Sequence, residues 1–465
     1  MVSRNRIRKI EVQGVIDRYD YNIDFMKGDP GIKAIYAENG HGKTNMLRVL
    51  RALVSNNLEE FKQILHLPYR FINIETNEGW VQCERESLKQ CSIKVIKRSG
   101  GMEECANISA SEENYAISSE IKLDDINHEL EDIERIPGEV SDFMREYRDV
   151  SMEIYRVVGN IVFLDSNRLQ NKHFLNAVSN RRHWRLEFQG RRKKLETTSY
   201  NQDISGEVVD GALQMLALSL RNEARRVSLG ESHPNRRYVY YNIVKKIVKN
   251  ENDANSLEYK NPEEAIRSKV SKIKEGIKKI DSYGFINSQE FNRISDTIEE
   301  IPEGNVSAFK NLRSVLIPYL DNISSQIETF SVIVNLVDVF SDAMNTMLNG
   351  VELRFNEENY GEFSIHSKYG NQGVRLEADL LSSGEKHLIV LMSVLTICSL
   401  NSTSLLLIDE PEISLGVSWQ LTLGKYIRRL AGGQGTQIVF ATHSPVILDG
   451  YNKENIIFDH VKRDI

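Results

Sequence analysis

Apolar and polar positions along the chain fall into three regimes. From Ile7 to Tyr36 they alternate in short bursts, IRKIEV, YNIDF and IKAIY, which predicts strands. A helical pattern then runs from Lys43 to about Val54. FINIETNEGWVQCE at 71–84 alternates on both sides of Asn77-Glu78-Gly79 and predicts a hairpin, and CSIKVIKR at 91–98 extends that sheet. The polar, glycine-marked stretch GGMEECANISASEENY at 100–115 predicts a loop. IVFL at 161–164 is a continuous apolar run of the kind a buried strand shows.

The pattern changes near Gly206 and stays helical to Gly350. Ile266, Val270, Ile273, Ile277 and Ile280 recur at steps of four and three. Leu320, Ile323, Ile327, Phe330, Val334, Val337, Ser341, Met344 and Leu348 do the same, with Ser341 the one break. A 3.5-residue period keeps one seam toward a partner helix, as in a coiled coil. Two outcomes fit this pattern: a bundle packed on the body, or an arm that binds a partner. Asn287 to Gly304 is polar enough to hold a turn between helices.

After Gly350 strands return as VELRF, EFSIH and VRLEA. LLSSGEKHLIVLMSVL predicts a helix starting near Lys386, and LLLIDEPEISL and TQIVFATHSPVIL each open with a buried strand. Strand-rich pieces thus flank a helical region. The expected division is 1–200 and 350–465 as two parts of one α/β domain, with 201–349 inserted between them.

Composition narrows the function classes. The chain has 465 residues, 40% hydrophobic and 27% charged, enough for more than one domain with a substantial core. A net charge of −7 excludes a generic polycation, so any nucleic-acid contact must come from local patches. Cys83, Cys91, Cys105 and Cys398 form no close C-x-x-C pair, which argues against zinc and fits a reducing cytoplasm. LIVLMSVLTICSL at 388–400 is short for a membrane span, and no membrane anchor is expected.

The chemistry starts at YAENGHGKTNMLRVL, residues 36–50. Asn39, Gly40, His41 and Gly42 lie between a strand and a helix beginning at Lys43. This is the context of a loop that wraps phosphates with backbone N–H groups and a helix N-terminus. Lys43 would reach the β- and γ-phosphates, Thr44 would place its hydroxyl on Mg²⁺, and Asn45 continues the first turn. Ala37 stands where the usual pattern has glycine. The plainer alternative is a glycine turn that happens to precede a helix.

Three later stretches complete a constellation. LLLIDEPE at 405–412 ends an apolar strand on two acids, which is costly unless they hold a cation or a partner. Asp409 would bind Mg²⁺ and Glu410 would polarise the attacking water. In LSSGEK at 381–386, Ser382, Ser383, Gly384 and Glu385 open a helix, either as a second anion site or as an ordinary cap. Such a site facing away from its own loop would reach a phosphate held by a second copy, which predicts a dimer. IVFATHSP at 438–445 ends a strand at His443, placed for the γ-phosphate. The adjacent Ser444 lacks a G-x-S-x-G elbow, which argues against a serine hydrolase.

In this order the four elements resemble the ABC-type ATPase head of the SMC, RecF and OLD families. N-G-x-G-K-T-N looks like their Walker A, LSSGEK like the signature motif, LIDEPE like Walker B, EISL with Ser414 like the D-loop, and ATHSP like the switch. The resemblance implies an α/β, ABC-type P-loop NTPase head of two sheet-containing lobes with a helical or coiled-coil insertion. It implies ATP with Mg²⁺, and a homodimer or higher homo-oligomer. Asn39, Gly40, Gly42, Lys43, Thr44, Asn45, Asp409, Glu410 and His443 would act from one subunit, and Ser382, Ser383, Gly384, Glu385 and Ser414 from the other.

SSGEKHLIVL, IDEPEISLGVSWQ and ATHSPVI are similar to the OLD-like ATPases of bacterial anti-phage systems, the Septu kind first and the PARIS kind second. FLDSNRLQ resembles their strand ending in an arginine, here Arg168, and Gly416 stands where that group often has histidine. The resemblance implies a cytoplasmic defence ATPase gating a separate nuclease, HNH-type or Toprim-type, with no nuclease motif in this chain. The alternative is a RecF- or SMC-like DNA-repair ATPase that clamps DNA. A further alternative is a scaffold that uses ATP for assembly without hydrolysing it. RRHWRLEFQGRRKK at 181–194, KKIVK at 245–249 and KVSKIKEGIKK at 269–279 would meet DNA or a phage protein, or are solvated helix faces.

Overall fold

The computed structural model describes residues 5–38, 40–55, 58–99, 102–111, 138–165, 205–228, 262–281, 283, 289–356, 362–369, 373–401, 403–434 and 436–458. The chain opens with β1 (Ile7–Val15), β2 (Tyr19–Asp24), β3 (Ile32–Tyr36), α1 (Lys43–Val54) and α2 (Leu58–Lys62). Next come β4 (Phe71–Thr76), β5 (Gly79–Ser87), β6 (Gln90–Ser99), β7 (Met102–Ser111), α3 (Gly138–Val158) and β8 (Ile161–Leu164). The helical region holds α4 (Gly206–Ser228), α5 (Pro262–Asp281), α6 (Gln289–Glu299) and α7 (Val306–Met347). The last elements are β9 (Val351–Asn356), β10 (Glu362–Ser367), α8 (Ser383–Leu400), β11 (Leu405–Asp409), α9 (Val417–Gln434), β12 (Gln437–Thr442) and β13 (Ile456–Phe458).

Contacts divide the chain into two compact units. One holds residues 2–208, 382–391 and 401–465. Its five-stranded sheet has the order β13-β3-β12-β11-β8, with every pairing parallel. Every residue of β11 and β12 is buried, as expected of parallel strands covered on both faces. Its six-stranded sheet has the order β2-β1-β4-β5-β6-β7 and is antiparallel throughout. There β4 alternates between half-buried and buried positions, the signature of one packed face. The apolar face of α1 (Met46, Leu47, Leu50 and Leu53) shares a core with Ile10, Ile72 and Val81 of the antiparallel sheet and with Leu407 and Val439 of the parallel one.

The other unit holds residues 209–381 and 392–400. Ile266, Val270, Ile273 and Ile277 of α5 form one core with Phe291 and Ile298 of α6 and Phe309 and Leu320 of α7. The predicted seams are therefore filled by helix packing within the chain. Lys269 pairs with Asp321 and Lys274 with Glu299 at 2.9 Å, so part of the basic stretch at 269–279 is neutralised on its own helices. Asn305 caps α7 by accepting from the Ala308 amide at 3.3 Å.

Several expectations are corrected. Residues 102–111 of the expected loop form β7, hydrogen-bonded to β6 from Gln90–Ser111 to Ser99–Met102. The expected turn at 287–304 contains α6, whose Phe291, Ile294 and Ile298 are spaced for a helix face despite polar neighbours. VRLEA is not a strand: Arg375 makes an isolated bridge to His366, and the chain turns at Ala378–Leu380. The helix expected near Lys386 begins at Ser383. Asn39, Arg168 and the basic stretches 181–194 and 245–249 lie outside the described residues.

Among the described residues, two helices, Val315–Met347 and Ser383–Leu400, are apolar and long enough to cross a membrane by length and composition alone. Residues 387–400 of α8 are buried, so this helix is core.

Candidate active site

The phosphate loop leaves the end of β3 and turns through Gly40 (φ 84°) and Gly42 (φ 75°), both left-handed. At Gly42 a β-carbon would meet Val15 Cγ1 at 2.9 Å and Ile16 Cδ1 at 3.2 Å, so conformation and space both call for glycine. No side chain caps α1, so the amides of its first turn remain available for an anion. Tyr21 donates its hydroxyl to the His41 carbonyl, and the Tyr19 ring stacks on His41 with centroids 5.1 Å apart.

Lys43 is buried, and its ammonium donates to the carbonyls of Ala37 at 2.5 Å and Glu38 at 3.0 Å. Its third partner is His443 Nδ1 at 3.1 Å. The other ring nitrogen, Nε2, lies 3.1 Å from Glu410 Oε1. Lysine can only donate, so Nδ1 accepts, and in the neutral ring Nε2 carries the proton. Parallel pairing of β11 with β12 brings these groups together, since Asp409 is in register with Ala441. Past that pair the Glu410 amide still donates to the Ala441 carbonyl at 2.8 Å, and Glu410 itself is left-handed, φ 50°.

Asp409 is buried at the end of β11. Burial pushes its carboxyl up to about 6, and Glu410 and Asp165 add to the rise. The Thr44 hydroxyl and Arg48 oppose it. Asp409 Oδ1 is buried without a hydrogen-bond partner among the described residues. A buried carboxylate oxygen with no partner, on the same carboxylate that takes the Thr44 hydroxyl, fits a divalent cation with oxygen ligands. Asp165 follows β8 and pairs with Arg48 at 3.4 Å.

A second group forms at the start of α8. Ser382 N donates to Glu385 Oε2 at 2.9 Å, and the Glu385 amide returns to Ser382 Oγ at 3.4 Å. This reciprocal capping box explains why the helix begins at Ser383, three residues before the expected start at Lys386. Gly384 is pressed against the turn after β11: a β-carbon there would lie 2.9 Å from the Ser414 carbonyl and 3.2 Å from Trp419 Cζ3. Ser414 is left-handed at φ 63°. His387, one turn along α8, is hydrogen-bonded to the Pro411 backbone, and burial holds its imidazole down to about 4.

The structure thus gathers Lys43, Thr44, Asp409, Glu410 and His443 into one cluster, on the loop of Gly40 and Gly42. It gathers Ser382, Ser383, Gly384, Glu385 and Ser414 into another. Asn45 lies in the first turn of α1. Sequence reasoning missed Asp165, Arg48, Glu412 and Gln420. Asp165 carried a visible signal, an acid directly after a buried strand, while the other three are ordinary polar residues on helices or turns.

Similar solved structures include the Smc head domain with an extended coiled coil bound to the C-terminal domain of ScpA from Pyrococcus furiosus. It is 13% identical with a TM-score of 0.38, covering 98% of this chain and 93% of that one. An SmcHead bound to the C-winged helix domain of ScpA is 10% identical with a TM-score of 0.38, covering 98% and 95%. The Smc head domain with a coiled coil and joint from Pyrococcus yayanosii is 14% identical with a TM-score of 0.35, covering 98% and 96%. No curated protein matches the chain. The family model described as AAA ATPase domain matches residues 7–448, nearly the whole chain. The chain belongs to the AAA ATPase domain family and is an ATP-hydrolysing enzyme with an α/β P-loop fold.

Proposed function

We propose that the protein is an ATP-driven switch in which two copies close over two ATP molecules, each site built from both chains. The observation that carries this reading is that Ser382 is exposed and not bonded to the Lys43, Glu410 and His443 group among the described residues. His443 Nδ1 is hydrogen-bonded to Lys43 at 3.1 Å, and its Nε2 lies 3.1 Å from Glu410 Oε1. Ser382 is bonded instead to Glu385. A signature serine so placed is free to meet a nucleotide held by another copy.

In each site the loop amides and Lys43 hold the phosphates, with Lys43 exchanging the Ala37 and Glu38 carbonyls for phosphate oxygens. Thr44 and Asp409 would hold Mg²⁺, which neutralises charge on the phosphate oxygens when bound. Glu410 orients the attacking water, and His443 reports on the γ-phosphate position. Ser382, Gly384 and Ser414 of the second copy close the site. Mixing Lys43→Ala with Ser382→Arg chains tests this. Each variant alone is inactive, and mixed dimers regain one complete site. Failure to regain any activity contradicts shared sites.

The proposed output of the switch is a clamp on DNA. Supporting it is the placement of α4–α7 between the phosphate loop and the signature motif, the layout of the SMC and RecF classes. The second reading is control of a separate effector nuclease in antiviral defence, HNH-type before Toprim-type. It is supported by the local wording of SSGEKHLIVL, IDEPEISLGVSWQ and ATHSPVI. ATP-dependent retention of closed duplex circles by Glu410→Gln protein supports the clamp. Absence of retention, with a nuclease co-purifying and released by ATP turnover, supports the defence reading.

A further inference from the structure

Glu412 stands outside the chemistry assigned so far, yet one oxygen of its carboxylate takes three hydrogen bonds. Its Oε1 accepts from Thr442 Oγ1 at 2.6 Å, the His443 amide at 2.8 Å and the Ser444 amide at 3.2 Å. The last pairing of β12 is Thr442 with Tyr36 of β3. Beyond it the chain leaves the ladder, and its next two amides turn to this one oxygen. The backbone that carries the His443 ring is therefore held by a side chain from the turn after β11.

That turn also carries Ser414. The Leu415 amide donates to the Glu412 carbonyl at 3.0 Å, closing the turn around the left-handed Ser414. A second tie runs parallel to the first. Gln420 Nε2 donates to the Leu415 carbonyl at 2.8 Å, and its Oε1 accepts from Ser444 Oγ at 2.6 Å. Two side chains, Glu412 and Gln420, thus connect the turn of Ser414 to the turn of His443 and Ser444. The ring contacts they position, to Lys43 and to Glu410, are both 3.1 Å. Hydrogen bonds from nitrogen weaken with length and angle, so a small shift of the ring changes the Lys43 bond.

We infer that Glu412 is a positioning residue that couples the Ser414 turn to the His443 ring, so that engagement of Ser414 by a second copy sets the ring for hydrolysis. This rests on the proposed roles of Ser414 and His443. The Glu412 carboxylate acts through the backbone of His443, without touching nucleotide. An uncharged amide of the same shape presents an oxygen to the same three donors, whereas alanine leaves them unbonded.

The test is steady-state ATPase activity and ATP affinity of the full chain carrying Glu412→Ala, Glu412→Gln, His443→Ala and the double alanine variant. Glu412→Ala is expected to lower kcat roughly 10- to 100-fold, the usual cost of losing an orienting partner, with Kd for ATP nearly unchanged. Glu412→Gln restores most of the rate. The double variant turns over as slowly as His443→Ala alone, within about 2-fold, because both changes act through one group. Wild-type kcat in Glu412→Ala overturns the coupling, as does a double variant slower than His443→Ala by the full Glu412→Ala factor. Wild-type kcat in His443→Ala overturns the switch-histidine role itself. Should Glu412→Ala fail to fold by circular dichroism, Gln420→Ala takes its place. A reduced kcat that adds nothing to His443→Ala supports the coupling, and an unchanged kcat overturns it.

Discussion

His443 Nε2 lies 3.1 Å from Glu410 Oε1, while its Nδ1 takes the Lys43 ammonium at 3.1 Å. One imidazole therefore bridges the lysine proposed to hold the phosphates and the acid proposed to act on the attacking water. Glu410→Gln keeps the shape of that contact and removes the charge that activates water. It is expected to lower kcat by at least ~10²-fold, the scale of lost general-base catalysis, with ATP affinity retained. Single-turnover hydrolysis and equilibrium nucleotide binding check the two halves separately.

Lys43→Ala removes the ammonium and its bonds to Ala37, Glu38 and His443. The expected outcome is a loss of ATP affinity of at least ~10-fold, since a charge-assisted contact to phosphate exceeds a neutral one. Thermal unfolding without nucleotide should change little next to this, and the stabilising shift on adding Mg²⁺–ATP should disappear.

Gly384→Ala places a β-carbon 2.9 Å from the Ser414 carbonyl and 3.2 Å from Trp419. Neither neighbour is a flexible chain end, so the turn of Ser414 must shift, at a cost of ~1–3 kcal/mol by the scale of overpacking. ATP turnover is expected to collapse while binding at Lys43 persists. Binding of a fluorescent ATP analogue beside phosphate release measures that contrast.

His387 supplies a pH dependence. Its folded pKa is held down to about 4 by burial, below the 6.5 usual for a free imidazole. Between those values the unfolded chain binds more protons, so the contribution to stability is full above pH 6.5 and is lost as pH falls toward 4. The slope approaches ~1.4 kcal/mol per pH unit inside that window. The difference in unfolding free energy between wild type and His387→Asn, followed by urea denaturation from pH 7 to pH 4.5, is expected to shrink over that range.

The candidate cluster was legible because its residues sit in contiguous words at strand ends: Lys43 and Thr44 after IKAIY, Asp409 and Glu410 after LLLI, His443 after IVFAT. Continuous apolar runs betrayed β11 and β12, since parallel strands are buried on both faces. Arg48 and Glu412 were illegible for the opposite reason. Their partners arrive through register, with β8 and β12 pairing on either side of β11. No local pattern records that order. β7 was hidden by polar residues on a pairing strand, and α6 by polar residues between Phe291, Ile294 and Ile298. In both, tertiary pairing overrode composition. At α8 the apolar run masked the start, because Ser382 and Glu385 cap the helix outside it.

The mass of the Glu410→Gln protein in solution, with and without Mg²⁺–ATP, tests the shared-site switch most directly. Sedimentation equilibrium at micromolar concentration should give twice the monomer mass with ATP and the monomer mass without it. The added variant Ser382→Arg should abolish the dimer with ATP affinity intact. A mass that ignores ATP, or a dimer that survives Ser382→Arg unchanged, contradicts the account.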